Sequence, residues 1–170
     1  MSSNSKTLFI TGASSGIGAQ TARQAVAQGW NVGLFARSKD KLTSLSQELG
    51  DKALVLVGDA ALPRLRKTTG HFLLTGSQAG RTHVRGSIYS ASKWFIHGYA
   101  GNLALEMAAW GGRCTLIAPG MVDTPFFSNP GEGRLQPSDV ADAVMLALEA
   151  NTRNNVREIF LTPLKTPGPH

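Results

Sequence analysis

A chain of 170 residues with a formal net charge of +6 has the size of one domain. Hydrophobic residues make up 42% and charged residues only 16%, under the roughly 25% of an average soluble domain, which excludes disorder and predicts segments covered on both faces. The lone Cys114 excludes an internal disulfide, and no apolar run reaches the roughly 18 residues a bilayer span requires.

A soluble cytoplasmic protein with no membrane partner is therefore expected. The histidines His71, His83, His97 and His170 have no ligand spacing, so no metal is expected. Basic residues fall in short groups, such as Arg64, Arg66 and Lys67, with few aromatics and no nucleic-acid-binding signature. They read as solvated surface charge, with no nucleic-acid partner.

Thr7 to Thr11 (T-L-F-I-T) reads as a strand, the glycine-rich residues after it as a turn, and Gly18 to Gln28 as a helix ended by Gly29. Asn31 to Ala36 is a second strand. Ser38 is placed to cap a helix over Lys39 to Leu49 that Gly50 closes, and Ala53 to Val57 is a third strand. Apolar strands without alternation, separated by helices, predict an α/β fold: a doubly wound, Rossmann-like parallel sheet with helices on both faces and Thr7–Thr11 in its interior. The expected domain covers residues 1–164, followed by a flexible tail at 165–170.

His71 to Thr75 reads as a further strand, yet the link Ala60 to Gly70 before it carries Pro63 and is shorter than the dozen or more residues of a parallel crossover. Ser90 to Trp110 is a helix. Arg113 to Ala118 is a strand with Cys114 in the core, broken by Pro119-Gly120. Met121 to Leu135 is a loop, Asp139 to Glu149 a helix begun near Pro137 and Ser138, and Arg157 to Thr162 a closing strand.

The turn Thr11-Gly12-Ala13-Ser14-Ser15-Gly16-Ile17-Gly18 joins the first strand to the first helix. Glycines there permit a tight turn and close approach of a pyrophosphate to the helix N-terminus, whose unpaired N–H groups and positive dipole end favour an anion. Glycine also serves plain turns; the placement after a strand favours a dinucleotide, held by Gly12, Ser14, Ser15, Gly16, Ile17 and Gly18. Arg37 follows the second strand, and no Asp or Glu lies between Asn31 and Lys39. A cation in place of the acid that accepts from ribose hydroxyls suits the 2′-phosphate, which predicts NADP(H) over NAD(H).

Tyr89 and Lys93 are four residues apart, so on a helix they share a face. A tyrosine hydroxyl is a poor base near neutrality, and a neighbouring ammonium favours its phenolate. Such a pair can exchange a proton with an alcohol or carbonyl oxygen, with the Ser77 hydroxyl bonded to the same oxygen while a cofactor moves the hydride. Taken singly, a Tyr is a boundary residue, a Lys is solvated and a Ser forms a turn; together they point to catalysis.

The turn matches T-G-x-x-x-G-x-G, and Tyr89-Ser90-Ala91-Ser92-Lys93 matches Y-x-x-x-K, with Ser77 at its accompanying spacing. Pro119-Gly120 is followed by Met121-Val122-Asp123-Thr124. These motifs, in this order, resemble the short-chain dehydrogenase/reductase family over Lys6 to about Leu164. The resemblance implies an NADP(H)-dependent oxidoreductase that interconverts a secondary alcohol and a carbonyl compound, with Ser77, Tyr89 and Lys93 catalytic. It also implies cofactor contacts from Tyr89, Lys93, Pro119, Gly120, Val122 and Thr124, an adenine contact from Asp59, and a homodimer or homotetramer through the helix of Tyr89 and Lys93. That helix displays Trp94, Phe95, Ile96, Tyr99, Leu103, Leu105, Met107 and Trp110, an apolar surface that neighbouring helices could equally cover. The substrate is a small molecule, its pocket built from side chains such as Val84, Phe126 and Phe127.

Two of the family's features are absent: an N-N-A-G strand and the asparagine on the helix after it. Ala61-Leu62-Pro63-Arg64-Leu65 resembles the end of that helix, joined directly to Asp59-Ala60. A gap at 60/61 of roughly two ~30-residue strand–helix units is thus expected, removing the strand beside the first one. Three readings stay open: a longer reductase with a segment absent from this chain, a shortened chain that binds dinucleotide but catalyses poorly, and a defective product. The undamaged flanking motifs favour the first.

Overall fold

The computed structural model describes residues 6–36, 38–55, 65–127 and 131–164. Its elements follow the apolar pattern: β1 (Thr7–Thr11), α1 (Gly16–Ala27), β2 (Asn31–Phe35), α2 (Lys39–Leu49), β3 (Ala53–Val55), β4 (His71–Thr75), α3 (Ile88–Ala108), β5 (Arg113–Pro119), α4 (Pro137–Glu149) and β6 (Glu158–Leu161). Gly29 and Gly50 both take positive φ, +87° and +69°, which lets the chain leave α1 and α2 where a side chain would be strained. Ser38 stands at the cap position of α2, but its side chain makes no capping bond; its carbonyl accepts from Leu42 N–H instead. Among the described residues no helix is long and apolar enough to cross a membrane.

The fold is α/β and Rossmann-like, with every strand pair parallel. The strands fall into two three-stranded sheets, β1-β2-β3 and β4-β5-β6. The chain divides correspondingly into two compact units: residues 1–59, 124–130 and 136–145 in the first, and 60–123, 131–135 and 146–170 in the second.

In the first unit, β1 pairs with β2 from Thr7–Asn31 to Thr11–Phe35, and β2 pairs with β3. β2 is covered on both faces, with Val32 and Leu34 buried. β1 corrects the expectation of an interior strand. It is an edge, and only Leu8 and Ile10 are buried while Thr7, Phe9 and Thr11 are exposed. Side chains along a strand point alternately to the two faces of the sheet, and the face that carries Leu8 and Ile10 is covered while that of Thr7, Phe9 and Thr11 is not. Leu54 of β3, the other edge, is likewise exposed. α1 turns the small residues Ala19, Thr21, Ala22 and Ala25 inward. On its outer side, Arg23 and Glu48 form a two-pronged exposed pair at 2.6 and 2.8 Å.

In the second unit, β5 is central and Cys114 to Pro119 are all buried. Leu103, Ala104 and Met107 of α3 pack on Cys114, with Phe72, Leu74 and Trp110 around them. Burial pushes the Cys114 thiol up to about 11, so it is a core residue rather than a nucleophile. β4, an edge, is only half-buried along most of its length. His71 on it is held down to about 4, by burial first and then by the charge of Arg113. Its Nε2–H donates to Thr115 Oγ1 (2.7 Å), because that hydroxyl gives its own proton to the Val156 carbonyl.

Candidate functional site

In the first unit the glycine turn is built by three different demands. Gly12 and Gly16 adopt φ of +69° and +53°, a region that disfavours side chains. Gly18 has ordinary φ, but a Cβ on it would lie 2.4 Å from the Gly12 carbonyl oxygen and 3.0 Å from Ala13 Cα. The first turn of α1 therefore rests directly on the backbone of the turn. Ala13, wholly buried, ties this turn to β2 through a bond from its N–H to the Phe35 carbonyl (3.2 Å).

Ser15 caps α1 in extended conformation without a side-chain bond to the helix, so no side chain of Ser15 competes for the first-turn N–H groups. Ile17 lies in that turn, and its carbonyl accepts from Thr21 Oγ1 (2.8 Å). Ser14 lines a recess with Arg23, Asp40, Lys41 and Ser44. A Cβ on Gly16 would meet the Thr124 methyl group at 3.4 Å, which brings Thr124 to the turn as well. Positive-φ glycines before an open helix N-terminus fit the pyrophosphate of a dinucleotide.

In the second unit Ser77 caps a 3-10 turn, Gln78–Gly80. Its Oγ accepts from Ala79 N–H at 3.1 Å, and Ser77 is buried. α3 begins just after Ser87, whose side chain accepts from Ser90 N–H (3.0 Å). That cap puts Tyr89 in the first turn, half-exposed, and Lys93 one turn on. Lys93 Nζ stands 5.5 Å from the Tyr89 ring centre and donates to the Thr75 carbonyl (3.4 Å).

Side chains of two helix residues, Ser90 and His97, pin the Ser77 turn to this helix. Ser90 Oγ reaches the carbonyls of Ala79 and Thr82 at 2.9 Å each, and His97 Nε2 lies 3.1 Å from the Ser77 carbonyl oxygen. His97 received no role from the sequence, although Tyr89, Lys93 and His97 form one i, i+4, i+8 row.

Pro119 ends β5, and Gly120 N–H donates to the Leu161 carbonyl (2.7 Å). A Cβ on Gly120 would come 3.0 Å from Gln78 Oε1, so the residue after Ser77 abuts this glycine. Val122 is buried and bridges to Leu135. Phe126 and Phe127 meet edge to face at 5.2 Å, while Val84 is exposed. Arg37, Asp59 and the junction of Ala60 with Ala61 lie outside the described residues, as does the tail at 165–170.

The model of the family described as short chain dehydrogenase matches this chain over residues 6–63 and again over 52–134. The chain belongs to the short-chain dehydrogenase family, whose members are oxidoreductases that use nicotinamide dinucleotides.

An uncharacterised oxidoreductase of Staphylococcus saprophyticus is 36% identical over 111 residues, covering 62% of this chain and 47% of that protein. Another, of Staphylococcus epidermidis, is 26% identical over 224 positions that cover 94% of this chain and 97% of the relative. That alignment is 54 positions longer than the 170 residues available, so at least that many positions of the relative face no residue here. Among solved structures, an alcohol dehydrogenase from the archaeon Thermococcus sibiricus complexed with 5-hydroxy-NADP shares the fold at TM-score 0.83 and 22% identity, covering 98% of this chain and all of that one.

Proposed function

We propose that the chain carries the working residues of an NADP(H)-dependent oxidoreductase that interconverts a secondary alcohol and a small carbonyl compound. The observation behind it is the arrangement on α3: Tyr89 with the Lys93 ammonium 5.5 Å from its ring, and the Ser77 turn fastened to the same helix.

When bound, the nicotinamide supplies or takes up the hydride. Gly12, Ser14, Ser15, Gly16, Ile17 and Gly18 would hold the cofactor's pyrophosphate, and Pro119, Gly120, Val122 and Thr124 its nicotinamide. Arg37 takes the 2′-phosphate and Asp59 the adenine, assignments that rest on sequence order. The Tyr89 hydroxyl gives its proton to the carbonyl oxygen in reduction and recovers it in oxidation. Lys93 stabilises the negative charge left on the Tyr89 oxygen and, by resemblance to the family, would hold the nicotinamide ribose. Ser77 Oγ already accepts from Ala79 N–H, which leaves its own O–H to donate to the substrate oxygen where charge develops.

The cofactor preference is tested at Arg37. Arg37→Asp is expected to weaken NADPH binding about tenfold or more, the scale of a lost charge-assisted bond, and to spare NADH. Equal affinity of the unaltered chain for both cofactors in a fluorescence titration would refute the preference.

A second reading, a dinucleotide-binding chain with impaired turnover, is favoured by the at least 54 positions of the relative that face no residue here and by the place of β1 at the edge of its three-stranded sheet. NADPH binding without oxidation of NADPH against a panel of ketones would select it. Under either reading α3 is the contact of a homo-oligomer. Phe95 and Leu105 on it are 68% and 67% exposed, and Phe95 stacks on Tyr99 at 6.1 Å. Light scattering at micromolar concentration is expected to give at least a dimer mass; a monomer mass rejects this contact.

A further inference from the structure

We infer that His97 is a positioning residue that locks the backbone of Ser77 through a single ring tautomer, which Arg81 dictates. The inference rests on Ser77 being catalytic only for its functional consequence; the lock itself is a matter of geometry.

Arg81 Nε lies 3.1 Å from His97 Nδ1, and a guanidinium nitrogen can only donate. His97 Nδ1 must therefore present its lone pair, which leaves the ring proton on Nε2. There it points at the Ser77 carbonyl oxygen, 3.1 Å away. The same oxygen accepts from Gly80 N–H at 2.9 Å, so both of its lone pairs are used and the peptide plane after Ser77 has no freedom to tilt. Because the Ser77 hydroxyl is fastened to Ala79 N–H within that turn, fixing the carbonyl also fixes the hydroxyl.

Arg81 is itself held, its Nη2 pairing with Glu158 Oε2 on β6. The other carboxylate oxygen of Glu158 is buried, accepts no hydrogen bond, and lies 3.6 Å from His97 Nδ1. Arg81 and Glu158 thus face the imidazole from one side and the Ser77 turn from the other. The slot for the ring is shaped by glycine. A Cβ on Gly80 would lie 2.5 Å from His97 Cδ2, and one on Gly76 would lie 3.1 Å from Nε2. The residues on both flanks of Ser77 leave the imidazole its room, and the His97 side chain is only 9% exposed.

The decisive measurement is the 15N spectrum of the histidine ring nitrogens in the unaltered chain, together with amide exchange across the Ser77–Gly80 turn. His97 is expected as the Nε2–H form, and Arg81→Leu, at a half-exposed position that tolerates it, should release the ring to a mixture of tautomers. His97→Leu should speed exchange of the Gly80 amide about tenfold, the effect of one lost hydrogen bond. His97→Gln, whose amide can accept from Arg81 and donate to Ser77, should restore most of the protection.

A His97 ring protonated on Nδ1, or Gly80 exchange that is equal in the Leu, Gln and unaltered chains, overturns the inference. Turnover separates it from the functional reading. If Ser77→Ala reduces ketones normally, the catalytic role of Ser77 fails while the lock stands. If Ser77 is catalytic, His97→Leu should lower kcat with little change in KM and have no further effect in the Ser77→Ala background.

Discussion

Tyr89→Phe is expected to lower carbonyl turnover with NADPH by about 10²–10⁴-fold, the usual worth of a positioned acid–base group, while NADPH affinity stays near that of the unaltered chain. Removing one hydroxyl from a side chain that is 47% exposed creates no core cavity, so a loss of turnover cannot be ascribed to unfolding. The ring that sits 5.5 Å from Lys93 Nζ is kept, and so is the helix start fixed by Ser87. The hydroxyl and its exchangeable proton go.

Lys93→Ala differs: it removes the ammonium beside Tyr89 and the bond to the Thr75 carbonyl, so turnover and cofactor binding should both fall. Steady-state oxidation of NADPH against a ketone panel, beside a fluorescence titration of NADPH, reads the two quantities separately. Normal turnover by Tyr89→Phe would eliminate the mechanism.

The second large effect is expected at Gly18. Its Cβ position is hemmed in by the Gly12 carbonyl oxygen at 2.4 Å, Gly12 C at 2.8 Å and Ala13 Cα at 3.0 Å, all backbone atoms. No flexible side chain can move aside, so Gly18→Ala must push α1 off the turn. A cost of about 3 kcal/mol, in the range of severe overpacking, is expected in urea unfolding, with loss of NADPH binding at concentrations that saturate the unaltered chain. Gly12 supplies the contrast. Nothing lies within 4 Å of its Cβ position, so Gly12→Ala bears only the strain of φ +69°, about 1–2 kcal/mol. A Gly18→Ala chain that unfolds at the normal midpoint would show that the turn yields where its geometry says it cannot.

What could be read in the sequence was local. The glycine turn declares itself because its φ values and close contacts must be met by residue type, and the Tyr89–Lys93 pair because helical spacing is fixed. Ser38 and Gly50 bound α2 because helix ends favour those residue types. T-L-F-I-T has the composition of a strand covered on both sides, which predicts an interior place for β1; the loss of its neighbour is implied by the short link after Ala60 and not by the residues of the strand itself. Ser38 takes the N-cap position expected of it, although its side chain makes no bond to the first-turn N–H groups. His97 was passed over because its partners, the Ser77 carbonyl and Arg81, lie 20 and 16 residues away and meet it only after the Ser77 turn folds against α3. Gly76 and Gly80 on either side of Ser77 were the signal in the sequence, two small residues framing a candidate catalytic serine.

The two edges described for β1 and β4 bear on how this chain behaves in a crowded solution. Natural sheets blunt an open edge with lysine, proline or a bulge, so that a foreign strand cannot zip onto it. T-L-F-I-T contains neither charge nor proline. H-F-L-L-T has only His71, whose ring, held near 4, is neutral at physiological pH. Both segments are short and β-prone, with Lys6 the charge that adjoins the first of them, and Phe9 stands 36% exposed. Where such an edge is left uncovered, intermolecular strand addition is expected, and aggregation that slows when a lysine is placed in Thr7–Thr11 or His71–Thr75 would show it.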